Sequence, residues 1–220
     1  MKKIILAFFM MLATAGIAHA QNTIYLRQTG SASTIELEQI GSNNAIGSPT
    51  TYSLSNGDTN NIIVRQTGSS NIHNFSIIGS TNTYSSLING DSNQFTLNCG
   101  DVMTTCSSAE VTETTTGNLN TVSQTIKGQN IKSTMAITGS SNQVTTNISQ
   151  SNSTSNISIT GDANNVNSTM NAVGGAGSTL GITVLGSSNT ILTTQGGTID
   201  STVKLQVTGT SNNITVHTSN

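Results

Sequence analysis

The sequence predicts an all-β fold: a two-sheet β-solenoid of stacked strand-arc-strand coils, with about 22 residues per coil. Three observations predict it. A Gly-x-x-Asn tetrapeptide returns at an eleven-residue beat, as at Gly68–Asn71, Gly79–Asn82 and Gly90–Asn93. Between these tetrapeptides, apolar or amide residues alternate with polar ones, the period of a strand with one buried face. Composition points the same way: only 7% of residues are charged and 3% aromatic, there is one proline and no tryptophan, and Ser, Thr, Asn and Gly dominate. Such a chain has few large side chains with which to build a globular core, but low charge with regular amides suits stacked in-register strands.

The first twenty residues stand apart. Lys2 and Lys3 precede the apolar run from Ile4 to Met11, and Ala18-His19-Ala20 closes the segment with small residues. This reads as a secretory signal peptide over 1–20, cleaved before Gln21, and the run is too short for a membrane span. The repeat domain is expected over 21–220, and the remaining chain is mildly acidic. With no basic patch, nucleic acid is not an expected partner.

Each repeat has two parts. The tetrapeptide is the turn: Gly supplies positive φ where the chain reverses, and Asn is expected to tolerate a left-handed conformation while its amide bonds nearby backbone. Beyond the three already named, the turns are Gly41–Asn44, Gly57–Asn60, Gly117–Asn120, Gly139–Asn142, Gly161–Asn164, Gly186–Asn189 and Gly209–Asn212. Stacked coils would set like Asn over like Asn in an amide ladder. The strand is the second part, with an inward parity carried by Asn71, His73, Phe75 and Ile77, by Asn142, Val144, Thr146 and Ile148, and by Val203, Leu205 and Val207.

Departures from the beat mark insertions. Gly41 to Gly57 is eleven plus five, placing an insertion near 45–51. Gly90 to Gly117 is two steps plus five, placing another near 98–108. Both are expected at turns, as in a solenoid. The turns around 149–152 and 174–177 are degenerate, and Gly128-Gln-Asn130 reads as one residue short. Counting these, about sixteen steps make about eight coils. A triangular coil of three steps is not excluded by spacing. Contact between Gln39 and Gln66 would mark two.

Cys99 and Cys106 fall in the second insertion, and in an exported chain such a pair reads as one disulfide closing a small loop. The rival, a metal site, lacks a neighbouring histidine to complete four ligands. Glu36 and Glu38 share an outward face about 7 Å apart, a spacing that glycosidases use, but Arg65 is placed by the two-step coil opposite Glu38 as an ion partner. Gly-Asp-x-Asn turns at Gly57, Gly90 and Gly161 lack the register of calcium-binding β-rolls. No catalytic, cofactor or metal residues are therefore assigned.

The first repeats carry a fuller motif. Asn22-x5-Gln28-x-Gly30-x2-Ser33-x5-Gln39-x-Gly41-x2-Asn44, and again Asn60-x5-Gln66-x-Gly68-x2-Asn71, resemble the curlin repeat of bacterial curli fibres. Farther on, Gly and Asn persist while Gln is replaced by Ile77, Ile88, Ile126, Ile137 or Val184. The repeat starts almost at Gln21, without the non-repeat export segment usual in curlin subunits, and the cysteine loop is foreign to the pattern. The resemblance implies a secreted subunit of an extracellular functional amyloid, built for biofilm matrix and surface adhesion on a Gram-negative-type bacterium. The partners it implies are further copies of the chain, a nucleator subunit and an outer-membrane export pore; no cofactor is implied. Neither end has an evident cap, which favours end-to-end addition. The competing expectation is a monomeric solenoid that binds ice or carbohydrate through a Thr/Ser/Asn-rich face.

Overall fold

The computed structural model describes residues 21–32, 34–101, 103–106, 108–128, 130–149, 152–172, 178–197 and 201–219. The signal peptide read over 1–20, Ser33 of the first motif and the degenerate turn at 174–177 lie outside these residues. The described chain winds back and forth between two eleven-stranded sheets, and every strand pair is parallel. This is the two-sheet solenoid that the eleven-residue beat predicts, with about eight coils.

The coil size follows from register. Gln39 pairs with Gln66, and Glu38 with Arg65. Farther along, Gln143 pairs with Asn165, and Lys132 with Thr154. Two steps therefore make one coil, and the triangular alternative is excluded. Because pairing is in register, the alternation within each strand becomes a set of columns along the solenoid. In Ile72–Ile78 the inward column positions His73, Phe75 and Ile77 are buried. Ile126, Ile148 and Met170 stack as one such column, and Ile137 and Ile159 as another in the opposite sheet. The core is thus a thin slab between the sheets, and among the described residues no helix covers either face.

The two insertions are built differently. Residues 45–51 were expected at a turn; they leave the line of a strand instead. Ala45–Ile46 pairs with Ile72 and His73, and Ser53–Asn56 resumes opposite the end of the same strand. The chain between loops outward through a turn in which Ser48 N–H bonds Thr51 O at 2.8 Å. On the neighbouring strand Asn74 and Phe75 lie between the residues paired with Ile46 and with Leu54, and Ser53 and Ser55 are buried, so their parity stays inward. The second insertion does fall at the strand-to-arc junction. Cys99 N–H bonds Ser76 O at 2.9 Å and Cys106 N–H bonds Ile78 O at 2.7 Å, so both cysteines keep their places in the coil while 103–105 are exposed outside it. The Cys99–Cys106 disulfide closes that loop at its base, with Cα atoms 5.3 Å apart.

Candidate functional site

The arcs between sheets are the repeated chemical feature, and the two sides of the solenoid differ. On one side the Gly-x-x-Asn arc is unbroken from Gly41–Asn44 to Gly209–Asn212. On the other it is intact at Gly57–Asn60 and Gly79–Asn82 and then altered. Arc glycines have φ between +96° and +143°, a region that L side chains avoid. A Cβ at Gly68, Gly117 or Gly139 would meet the carbonyl of Gly90, Gly139 or Gly161 in the adjoining coil. Glycine is required twice over, by φ and by the close approach of the next coil.

The left-handed residue is not the asparagine, which corrects the sequence reading. It is the third position of each arc: Ser70, Thr81, Ser92, Leu119, Ser141 and Ser188 have φ between +57° and +64°. The asparagine is buried instead and spans the gap between coils. Asn164 donates its backbone N–H and its Nδ2 to Asn142 Oδ1, each at 3.0 Å, and its Nδ2 also reaches Gly186 O at 2.9 Å. The same set links Asn71 to Asn44, Asn93 to Asn71, Asn120 to Asn93, Asn142 to Asn120, Asn189 to Asn164 and Asn212 to Asn189. Asn44 N–H bonds Asn22 Oδ1 at 3.0 Å, which starts the column. An amide carries acceptor and donor on opposite sides, so it can satisfy backbone of the coils before and after it.

A second ladder lies on the outer side of the same arcs and has the opposite sense. Here an earlier coil donates to a later side chain. Ser69 N–H bonds Asp91 Oδ1 at 2.7 Å, Asp91 N–H bonds Asn118 Oδ1 at 2.7 Å, and Ser140 N–H bonds Asp162 Oδ1 at 2.6 Å. Across the solenoid, Ser31 N–H bonds Asp58 Oδ1 at 2.6 Å, and this bond lowers the Asp58 pKa. The Gly-Asp-x-Asn carboxylates are thus engaged with backbone. Among the described residues, no three His, Cys, Asp or Glu side chains converge on a metal position.

On the altered side, Cys106 occupies the glycine place and Ala109 the asparagine place. Ala109 N–H still bonds Asn82 Oδ1 at 3.1 Å, and Asn82 Nδ2 reaches Cys106 O at 2.6 Å. At Gly128 the arc is not short, contrary to the sequence reading. Asn130 takes the left-handed third place with φ 54°, and Ile131 fills the inner fourth place, fully buried. Apolar burial replaces the amide there.

The glutamines divide. Gln39 Nε2 donates to Thr23 O at 2.9 Å and Gln66 Nε2 to Ala45 O at 3.2 Å, each reaching across the slab to the residue after an inner asparagine. Gln28 is exposed on the outermost strand, in register with Ser55. On the outside, Arg65 meets Glu36 at 2.7 Å and Glu38 at 3.3 Å, while Lys127 pairs with Asp101 and Lys132 with Glu110. The carboxylates raise the Arg65 pKa, chiefly through the bond to Glu36. Both glutamates are exposed beside this cation on an open strand face.

Sequence reasoning missed a buried carboxyl. Glu113 points inward, 1% exposed, and Thr115 Oγ1 donates to its Oε1. Burial pushes its carboxyl up to about 8, against the Thr115 bond, which lowers it. Close by, His73 Nε2 and Tyr84 Oη are 2.7 Å apart, and the His73 ring lies 4.5 Å from that of Phe95. Burial lowers His73 to about 3 and raises Tyr84 well above its ordinary value. The parity of 111–116 was the signal available: Val111, Glu113 and Thr115 are inward by the same alternation.

At the two ends of the solenoid the outermost strands, Thr23–Ile24 and Asn213–Thr218, belong to the same sheet, and each pairs on one side only among the described strands. Apolar residues of inward parity there, Leu26, Ile35, Leu37, Ile214 and Val216, are only partly buried because no described coil covers them. Ile24 is 47% exposed. No family model matches the chain, and searches of curated proteins and of solved structures return no match.

Proposed function

We propose that the protein is a secreted structural subunit that assembles end to end into curli-like extracellular fibres, serving biofilm matrix and adhesion. The observation that supports this reading most is the pair of outermost strands. Each offers a row of backbone donors and acceptors beside half-exposed apolar residues, which is the template on which parallel strands add. The asparagine column is directional as well: Asn22 stands at its start and Asn212 at its last described rung. A directional column favours head-to-tail contact, which gives open filaments. On this reading residues 1–20 direct export and are removed, and the Gln28, Gln39 and Gln66 repeats carry the likeness to curlin. Further copies are the main partner, with a nucleator subunit and an export pore following from that likeness.

The test is incubation of the chain from Gln21 at micromolar concentration, followed by thioflavin fluorescence and fibre diffraction. Filaments with a meridional spacing of about 4.7 Å support the reading. A protein that stays monomeric for days overturns intrinsic assembly. One observation favours the ligand-binding alternative: Thr116, Thr138 and Thr160 stack in register on an outer face. The parallel column runs Thr114, Ala136, Ser158, so the hydroxyl rank is one residue wide, too narrow to match a regular two-dimensional ligand.

A further inference from the structure

The middle of the slab carries a column of polar side chains. In the first sheet, Gln124, Thr146, Ser168 and Thr193 are stacked in register through successive coils and are at most 1% exposed. In the facing sheet, Ser133 and Ser155 stack likewise and are equally buried. The two columns oppose one another, for Gln124 Nε2 donates to Ser133 Oγ at 3.0 Å. Yet Gln124 Oε1, Thr146 Oγ1, Ser155 Oγ, Ser168 Oγ and Thr193 Oγ1 meet no protein partner within hydrogen-bond reach.

Register explains why. Adjacent parallel strands lie roughly 4.8 Å apart, so hydroxyls of this column that project alike do not reach one another, whereas Ser42 Oγ and Ser69 Oγ, at strand ends, meet at 3.2 Å. An asparagine amide is long enough to bridge the spacing. Buried polar atoms that find no protein partner are ordinarily satisfied by ordered water. The spacing suits water: two bonds of about 2.8 Å spanning 4.8 Å meet at roughly 118°, close to the tetrahedral angle. In earlier coils the same columns hold Phe75 and Leu97 in one sheet, and Tyr84 and Val111 in the other, all larger than the Ser and Thr that succeed them. Above and below, layers such as Ile126, Ile148 and Met170 hold the sheets apart.

We propose that the coils from Gln124 to Thr193 hold an internal file of water, about one molecule per coil, running along the solenoid axis. Each water bridges hydroxyls of two successive coils, and the water between Thr146 and Ser168 takes its third partner from Ser155 of the facing sheet.

The test is water-to-protein magnetisation transfer by solid-state NMR on the whole chain from Gln21, packed as sediment or as fibres. The expected result is that Thr146 and Ser168 receive magnetisation as fast as the exposed Gln143 and Asn147, while buried Val144 and Ile148 lag. If Thr146 and Ser168 lag with Val144 and Ile148, the file does not exist. Thr146→Val, which keeps the shape and removes the hydroxyl, gives an independent readout. A lower melting temperature with slowed transfer to Ser168 supports the file; a higher melting temperature marks a dry, unpartnered hydroxyl and overturns it.

Discussion

A single atom, Asn142 Oδ1, accepts both the backbone N–H and the Nδ2 of Asn164, each at 3.0 Å, while Asn142 Nδ2 donates to Asn120 Oδ1 and to Gly161 O. One side chain therefore joins the coil before it to the coil after it. Asn142→Ala removes all of these bonds and leaves a buried N–H of Asn164 without an acceptor. The expected loss is about 3–5 kcal/mol, from several hydrogen bonds and the desolvated groups left behind. Chemical denaturation of the soluble chain measures it. Ala109, already at an asparagine place, shows that one missing rung is survivable, so the variant should fold.

Gly139 and Gly209 have similar backbones, φ +127° and +111°, but different surroundings. A Cβ at Gly139 would collide with the Gly161 carbonyl, whereas at Gly209 the nearest atom is Asn212 Nδ2 at 3.6 Å. Gly139→Ala should disrupt the coil stack outright, with loss of most β circular dichroism. Gly209→Ala should keep the fold at a cost of about 1–2 kcal/mol from backbone strain, yet place a methyl where an incoming copy would stack. Thioflavin kinetics on that variant should show failed elongation; wild-type kinetics would argue against assembly at this end.

Stability should vary with pH through two buried groups of opposite sign. Glu113 is raised to about 8 from an ordinary 4.5, so the folded state holds its proton longer, and stability falls as pH rises from about 4.5 to about 8. His73 is lowered to about 3 from 6.5, so its contribution is present above 6.5 and is lost as pH falls toward 3. Together they give a maximum between about 4.5 and 6.5. Glu113→Gln should flatten the alkaline limb, whose slope approaches about 1.4 kcal/mol per pH unit. Melting temperatures across pH 3–9 for both proteins check this.

Reducing the Cys99–Cys106 bond should cost about 2.5 kcal/mol, the loop entropy of so short a crosslink. The loss should remain local. Asn82 Nδ2 still reaches Cys106 O, and both cysteine N–H groups keep their partners in the preceding coil. Hydrogen exchange with and without reductant would show protection lost around 99–109 and retained at Ile137 or Ile148.

Deleting 48–52 should be tolerated. Gly47 would then bridge Ile46 and Ser53, opposite Asn74, and restore an unbroken strand in register. Unchanged cooperativity of thermal unfolding is the expected result, since surface loops tolerate length change when the paired backbone is kept.

Much of this was legible in the sequence because a solenoid writes each coil at the same interval. The inward parity of His73, Phe75 and Ile77, the Glu38–Arg65 pairing and the Gln39–Gln66 register all follow from counting. What counting could not see was identity hidden by substitution. Ile131 does by apolar burial what Asn82 does by hydrogen bonding, and Cys106 stands where a glycine would, so one side of the solenoid lost its motif while keeping its geometry. The left-handed third position was hidden for a different reason: Ser, Thr, Leu, Ala and Asn share it, and no residue type announces it. The interruption after Ile46 has the same length whether it leaves an arc or a strand.

The ladders also decide how the molecule would respond to being pulled. Each coil is bonded only to the coil before and the coil after, by Asn amides in one sense and by Asp or Ser oxygens in the other. Tension applied to one end of the chain loads a single coil at a time, in series, as in unreeling a rope. Each release should yield one coil, 22 residues where Gln143 faces Asn165, or about 73–79 Å of extended chain. The Cys99–Cys106 crosslink keeps its loop out of the load path. In the oxidised protein the coil carrying the 45–51 insertion, 27 residues from Glu38 to Arg65, should give the longest step, and reduction should add a second long one.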